Sequence, residues 1–442
     1  MRYLLVGWTR RTSFATAKAL LSRGEEVYVS DTIDNDEKQA LLRELNHPNL
    51  VGLLGRQSPD ILKEVNPDII LPSPGVPLSI PLLEEAHRQK REIIGDIELF
   101  YRFHSDMYFY AITGTDGKTT TTTLTHALLN AHRPTLVGGN IGIPIFEHEE
   151  KTKNIKDMVL ELSSFQLEAI VHFRPRIAAF LNLAEDHLDR YPDLKSYLEA
   201  KKRIFLNQTP DDIAIVNADS PFFDEITKGV KSRLVTFSRL KKAESWFDGK
   251  IIYLHNEPLI AQHELKLKGI HNRENVMAAS LIASFAGVPH DTIREVLRSF
   301  QGLEHRLELV TTSNGCEIYN DSKATTVNAL QKALESFDKP IVLIAGGLDK
   351  GLDFVPLKPL VHKKLRHLVL IGQATEKIDK SWEFPATTRS ESLEDAVREA
   401  LAKAQNGDVI VFSPGCASFD MFKNYEERGK RFKEIVLSLT AR

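Results

Sequence analysis

The residues best suited to chemistry lie in Ala111–Thr123, AITGTDGKTTTTT, where a short apolar lead runs into two glycines, a lysine and five threonines. Gly114 and Gly117 permit a tight turn that points backbone N–H groups inward. The segment behind them, apolar at Leu124, Ala127 and Leu128, supplies the helix N-terminus that an anion site needs. Lys118 then stands as a point charge for β and γ phosphates, and Thr119 as a hydroxyl for Mg2+. The common phosphate loop reads G-x-x-x-x-G-K-[ST], and here Ile112 occupies its first position. An ordinary glycine turn with an exposed lysine is the bland alternative; the spacing favours a nucleotide.

A phosphate loop does not name a reaction, so the remaining polar constellations matter. VLELSSFQLE places Glu161 at the carboxyl end of a strand, where a carboxylate can share Mg2+ with Thr119. In LNLAEDHLDRYPDLKSYLEAKKRIF, His187 sits among Glu185, Asp186 and Asp189, and Lys201 falls on a helix starting near Pro192. GIHNRENVMAAS carries His271, Asn272 and Asn275 before a helix; such amides either cap the helix or read a base edge. His305-Arg306, and Asp321, Lys323 and Thr325 in IYNDSKATT, offer cations for phosphates and a carboxylate for ribose hydroxyls.

These residues need strands that end where they begin, and three α/β blocks provide them. In the first, Tyr3–Val6 reads as a buried strand, Ser13–Gly24 as a helix with a glycine stop, and Glu26–Asp31 as a second strand. Asp68–Pro77 is a strand running into a Pro/Gly turn, which completes βαβ logic and a Rossmann-like sheet. The dinucleotide fingerprint is missing: Trp8, Arg10 and Arg11 stand where G-x-G-x-x-G needs small residues, which speaks against NAD. A second block, from about Gly95, holds the phosphate loop and strands at Met158–Leu162, Ile177–Leu183 and Ile213–Val216. The third has strands at Ile341–Ala345, His367–Ile371 and Val409–Phe412, each ending in a glycine-rich or polar turn where a ligand would sit.

At 442 residues, with 42% hydrophobic and 26% charged residues, the chain is a globular protein of about three domains. A net charge of −3 provides no overall field for nucleic acid or anionic lipid. Two cysteines, Cys316 and Cys416, are too few for a disulfide scaffold or a thiolate zinc site. The N-terminal apolar run is too short for a signal peptide and no run is long enough to span a bilayer. A cytoplasmic location is expected.

Taken together, TGTDGKTTT, GGNIG (Gly138–Gly142), ELSSFQLE, NLAEDHLDRY, HNRENV, the His-Arg pair and NDSKATT resemble the ATP-dependent Mur ligases over nearly the whole chain. That family's loop is the shorter T-G-T-N-G-K-[ST], which accounts for Ile112. GGLDKGLDF and SPGCASFDMFKNYEERGKRF resemble its D-glutamate-adding branch. The resemblance implies a UDP-substrate domain at 1–96, a P-loop ATPase-like parallel-sheet domain at 97–302, and a Rossmann-like amino-acid domain at 303–442. It implies that Gly114, Thr115, Asp116, Gly117, Lys118, Thr119 and Thr120 cradle ATP, and that Thr119 and Glu161 hold one Mg2+. His187 and a carbamylated Lys201 would hold a second. Asn272, Asn275, Arg306 and Asp321 would bind nucleotide, and Lys118, His187, Lys201 and Arg306 would serve catalysis. Lys323, Thr325, Lys350, Ser418 and Tyr425 would face the D-glutamate carboxylates. Thr12, Asp31, Thr32 and Ser73 would meet the UDP moiety, with Asn140 nearer the muramoyl end.

The implied reaction activates a carboxylate as an acyl phosphate that an amine then attacks, with the C-terminal block closing first to exclude water. The partners are small molecules, with neither nucleic acid nor membrane, and the resemblance implies a monomer. Three departures stand out: Asp116 replaces the family's asparagine, Ile33 stands where some relatives carry arginine, and GWTRRTSF lacks the usual glycines. Its Arg10-Arg11 pair is expected to grip a diphosphate instead. The rivals are a ligase of the same superfamily acting on another amino acid or on folylpolyglutamate, and a P-loop switch or ATPase without ligation.

Overall fold

The computed structural model describes residues 1–187, 190–267 and 269–441. They form two compact units, one of 1–262 with 274–296 and one of 263–273 with 297–441.

The first unit holds two sheets. The smaller has the spatial order Leu50–Leu54, Glu26–Asp31, Arg2–Val6, Ile69–Pro72, Glu92–Ile93, parallel throughout. Leu4, Leu5 and Val6 are fully buried because helices cover both faces, so this strand reads as a continuous apolar run. Chain direction across the sheet reverses between Arg2–Val6 and Ile69–Pro72, the switch point at which such sheets bind ligands.

The larger sheet runs Glu257–Ala261, Ile251–Leu254, Ser245–Phe247, Arg233–Ser238, Ile213–Asn217, Ile177–Phe180, Tyr108–Thr113, Asp157–Glu161, Thr135–Gly139. It is not wholly parallel: Ile251–Leu254 pairs antiparallel with both neighbours. Two tight turns make it so: Asp248-Gly249-Lys250, with Gly249 at positive φ, joins it to Ser245–Phe247, and His255-Asn256, both at positive φ, joins it to Glu257–Ala261. Tyr108–Thr113 lies between Asp157–Glu161 and Ile177–Phe180, which brings three strand ends together. Helices start at once beyond them. Lys118–Asn130 follows the phosphate loop, and Ser163 and Gln166 form a reciprocal capping box that opens Ser164–Glu168 directly after Glu161. Asp193 caps Leu194–Lys202, which carries Lys201.

The second unit's sheet runs Glu308–Ser313, Cys316–Asn320, Val409–Phe412, Ile341–Gly346, Leu365–Ile371, Thr387–Ser390. Its first pair is an antiparallel hairpin turned by Asn314-Gly315, both at positive φ; the other pairs are parallel. The last strand in sequence, Val409–Phe412, inserts between Cys316–Asn320 and Ile341–Gly346, so the turns after residues 320 and 412 meet. No helix among the described residues is long and apolar enough to cross a membrane.

Candidate functional site

The phosphate loop owes its shape to two glycines, Gly114 at φ 152 and Gly117 at φ 78. A Cβ at Gly117 would stand 2.3 Å from Asn275 Oδ1, so the asparagine packs against bare backbone. The same oxygen accepts the Thr121 hydroxyl at 3.1 Å, which fixes Asn275 as a support of the loop. Asn182, just beyond Ile177–Phe180, holds the other side: its Oδ1 accepts the N–H of Thr115 at 3.1 Å and of Asp116 at 2.8 Å. Its amide donates back to Asp116 O at 3.1 Å. Asp116 itself is exposed, Thr119 half-buried and Thr120 buried. Thr121 N–H is bonded to Gly117 O, and helix geometry gives the N–H groups ahead of it no intrahelical acceptor.

Two lysines converge on this loop. Lys118 Nζ donates to Gly114 O at 2.9 Å and Thr115 O at 2.7 Å, and Lys201 Nζ donates to the same Gly114 O at 2.8 Å. Lys201 is 1% exposed and lies 4.5 Å from the Tyr197 ring centre. Its burial, then the Lys118 charge, push its pKa down to about 7, while Asp186 and Glu161 pull the other way. The balance shows that desolvation wins over two carboxylates.

Glu161, 2% exposed, ends its strand facing Asn140: Oε1 accepts the Asn140 amide at 3.0 Å, and buried Oε2 has no hydrogen-bond partner among the described residues. Leaving a carboxylate oxygen buried and unpaired is costly, and a cation removes that cost. Gly139 makes this approach possible, since a Cβ there would stand 2.2 Å from Glu161 O. His187 is exposed, at φ 54, with its ring 4.9 Å from that of Phe165 and 5.9 Å from that of Tyr197. It therefore shares Tyr197 with Lys201. Asp189 lies outside the described residues.

At the switch point of the small sheet, Thr12 Oγ1 donates to Ser73 Oγ at 3.5 Å, and Ser73 to Gly7 O at 2.8 Å. Thr32 is exposed. Asp31 is committed to the chain itself. It accepts the N–H of Trp8 at 2.7 Å and of Ile33 at 2.9 Å, and pairs with Lys38. Burial alone would raise its pKa; Lys38 and the two N–H groups outweigh this and hold the carboxyl below its ordinary range. The expected arginine pair divides. Arg10 pairs with Glu44 and lies over the Phe14 ring, while exposed Arg11 reaches Asn140 O at 3.3 Å.

In the second unit, Asp321 sits where two turns meet, accepting the Ser413 hydroxyl at 2.7 Å and Leu307 N–H at 3.2 Å. Burial pushes its pKa up to about 7, against the nearby Arg306 charge. The buried Nε of Arg306 has no hydrogen-bond partner among the described residues. The preceding His305, 3% exposed at φ 66, takes up the space a Cβ on Gly429 would need and accepts from the Asn320 amide at 2.9 Å. Lys323 Nζ lies 5.3 Å from the centre of the Tyr425 ring, and exposed Lys350 lies 5.1 Å from that of Phe419. Ser418 is buried, Thr325 and Tyr425 are half-buried, and Asn272 is 8% exposed at the start of His271–Phe285. Sequence reasoning missed Arg428. Its buried guanidinium donates to Ser322 O and Oγ, Cys416 O and Ala417 O, joining NDSKATT to SPGCAS.

Comparison with known proteins gives this geometry its setting. Residues 112–283 match the Mur ligase middle domain, and residues 305–416 match the Mur ligase, glutamate ligase domain. In fold, the chain is similar to the UDP-N-acetylmuramate-alanine ligase MurC of Thermotoga maritima, with a TM-score of 0.60 at 20% identity over 99% of this chain and all of that one. A UDP-N-acetylmuramoylalanine--D-glutamate ligase of Geobacter sp. (strain M21) is 43% identical over 98% of this chain and 97% of its own. One of Geotalea daltonii is 43% identical over 99% and 97%. Relatives this similar over this length place the chain in the Mur ligase family, among its D-glutamate ligases.

Proposed function

We propose that the chain joins D-glutamate to UDP-N-acetylmuramoyl-L-alanine at the expense of ATP, a cytoplasmic step that builds peptidoglycan precursor. Residues 1–96 take the UDP moiety, 97–302 the ATP and 303–442 the amino acid. The observation that carries this reading is a phosphate loop on one carbonyl of which two lysines converge, together with a buried Glu161 oxygen that has no partner among the described residues.

An oxygen of the alanyl carboxylate attacks the γ phosphorus, the bond to the β-phosphate oxygen breaks, and ADP departs. The amine of D-glutamate then attacks the acyl carbon. The C–O bond breaks with phosphate as leaving group, and the nitrogen gives up a proton. Charge builds on oxygens in both steps, so catalysis rests on positioning and fixed positive charge. Lys118 leaves the loop carbonyls for the phosphates, which the glycine turn and helix N-terminus receive. Asn272, Arg306 and Asp321 bind the nucleotide, and Asn275 supports the loop under it. Lys323, Thr325, Lys350, Ser418 and Tyr425 surround the amino-acid carboxylates.

Thr119 and the orphan oxygen of Glu161 fit one Mg2+, whose charge neutralises phosphate oxygens when bound. His187 and Lys201 fit a second once Lys201 is carbamylated. A lysine with its pKa near 7 presents much neutral amine at neutral pH. That amine adds to CO2, forming an N–C bond and losing a proton, and so replaces a cation with a carboxylate ligand.

Phosphate release with ATP, Mg2+ and UDP-N-acetylmuramoyl-L-alanine is the test, comparing D-glutamate, L-glutamate, D-alanine and no amino acid. Release only with D-glutamate is expected. Release regardless of the amino acid would replace the ligase with an ATPase.

A further inference from the structure

The parallel strands of the larger sheet have two ends, and the phosphate loop and Glu161 take only the carboxyl one. At the opposite end Tyr108, Asp157, Ile177 and Ile213, each the first residue of its strand, line a cavity of about 430 Å3. Small-molecule sites are of about this size, roughly 300–1,000 Å3. Tyr108–Thr113 separates the cavity from the phosphate loop, and a six-residue strand spans roughly 20 Å.

The floor of the cavity is a polar cluster that the reaction does not use. Asp157, 6% exposed, accepts the Tyr110 hydroxyl at 2.6 Å and the Arg133 guanidinium at 2.8 Å. Arg133 also donates to the Tyr110 hydroxyl and to Ala286 O, both at 2.9 Å. Burial, then Asp157, push the Tyr110 pKa up, so the hydroxyl stays protonated. Arg133 is neutralised where it stands.

Walls and mouth differ from the floor. Ile177 and Ile213 are apolar, and half-buried Phe285 and exposed Tyr108 add two aromatic rings. At the mouth Arg176 is half-exposed. Among the described residues its guanidinium makes no hydrogen bond and only approaches Asp212 Oδ1, at 3.8 Å. Asp212 is committed to Arg174 at 2.6 Å. Exposed Arg233 lies 5.2 Å from the centre of the Phe285 ring. Against Arg176 and Arg233 stands one exposed carboxylate, Asp211, which leaves a positive charge in excess beside the two rings.

We propose that this cavity is a second ligand site, taking a small planar aromatic monoanion whose ring packs on Tyr108 and Phe285 and whose charge meets Arg176. A guanidinium suits such a ligand because its planar donors can meet both oxygens of a carboxylate. The site is independent of the reaction proposed above.

The test is a ligand-observed NMR titration of the full chain with 2-naphthoate, run with excess ADP, UDP and D-glutamate present. Saturable binding with a Kd below about 1 mM is expected. 2-Naphthamide, which keeps the rings and loses the charge, should bind about 10-fold more weakly. Arg176→Ala should weaken 2-naphthoate by about the same factor and spare 2-naphthamide, and Arg176→Lys should recover part of the loss. Phe285→Leu should weaken both probes alike, since it removes a ring and no charge. No saturable binding up to about 10 mM, or undiminished affinity in an Arg176→Ala protein with unchanged thermal unfolding, would overturn the inference. Displacement of the probe by ADP, UDP or D-glutamate would place it in the reaction centre and overturn the inference equally.

Discussion

Two βα turns of the first unit do the same structural work with different chemistry. Each is held by a polar side chain at or just past the end of a neighbouring strand, which accepts backbone N–H from the turn and a further N–H, from Asp31's own loop in the first case and from the same turn in the second. For Trp8 and Ile33 the acceptor is the Asp31 carboxylate; for Thr115 and Asp116 it is the Asn182 carboxamide. Asp31 is neutralised by Lys38, so its charge stays inside the chain. Asn182 has no charge to neutralise, which leaves Lys118 for an anion. The phosphate loop is supported by a neutral side chain, whereas the first loop is supported by a buried ion pair.

The largest break in this comparison removes the cation. Lys118→Ala should lower turnover by about 10³-fold or more, since charge built up in phosphoryl transfer then lacks its protein cation. Steady-state phosphate release measures this, and near-normal rates would end the phosphate role. Next is the lysine on the same carbonyl. Lys201→Ala should also lose most activity but regain part of it with added short carboxylic acids, which replace the missing ligand. A folded protein with no rescue would make Lys201 a structural amine.

Exchanging the two supports is gentler. Asn182→Asp keeps an acceptor for both N–H groups but loses the donor to Asp116 O and adds a negative charge near the phosphates. At an effective dielectric of about 20, such a charge costs on the order of 2–3 kcal/mol at roughly 6 Å. The catalytic efficiency for ATP should therefore fall by roughly 30- to 100-fold, read as kcat/KM with thermal stability held within a few degrees.

The reciprocal exchange, Asp31→Asn, should act on stability and not on ATP. The carboxyl pKa is lowered in the folded chain, so the unfolded chain binds more protons as acid is added. Its stabilisation is complete above the unfolded value near 4 and fades as pH falls through the lower folded value. Urea unfolding should show Asp31→Asn about 1–3 kcal/mol less stable at pH 7, with the gap narrowing below about pH 4. A gap independent of pH would mean that the hydrogen bonds, not the charge, supply the support.

What could be read in advance follows the same division. Glu26–Asp31 and Val409–Phe412 were legible to the residue because buried parallel strands are short apolar runs bounded by turn residues. The hairpins at Ser245–Leu254 and Glu308–Asn320 were not expected, since βα alternation gives no sign of antiparallel strands; the Asn314-Gly315 pair was the missed signal. In the site, Gly114, Gly117 and Lys118 were legible because their spacing is local. The supports were hidden: Asn182 acts on a loop 66 residues away and Arg428 on a turn 106 residues away, and a single chain carries no mark of such pairings. Arg10 and Arg11 looked equivalent in sequence, and distant partners separate them: Glu44 for Arg10 and the Asn140 carbonyl for Arg11.

Asp116 is the finest probe of the contrast, because it places a carboxylate in the loop whose support is neutral. Its backbone is fixed at both ends by Asn182, and its side chain is exposed. An exposed charge is screened, so its repulsion on bound phosphates is small beside that of a buried one. Asp116→Asn should therefore raise the catalytic efficiency for ATP by no more than about threefold at low salt, and the gain should vanish near 0.5 M salt as the Debye length contracts. A gain that survives high salt would place Asp116 in direct contact with the phosphates. A loss would mean that the carboxylate helps to hold metal, and that the loop recruits the very charge its support avoids.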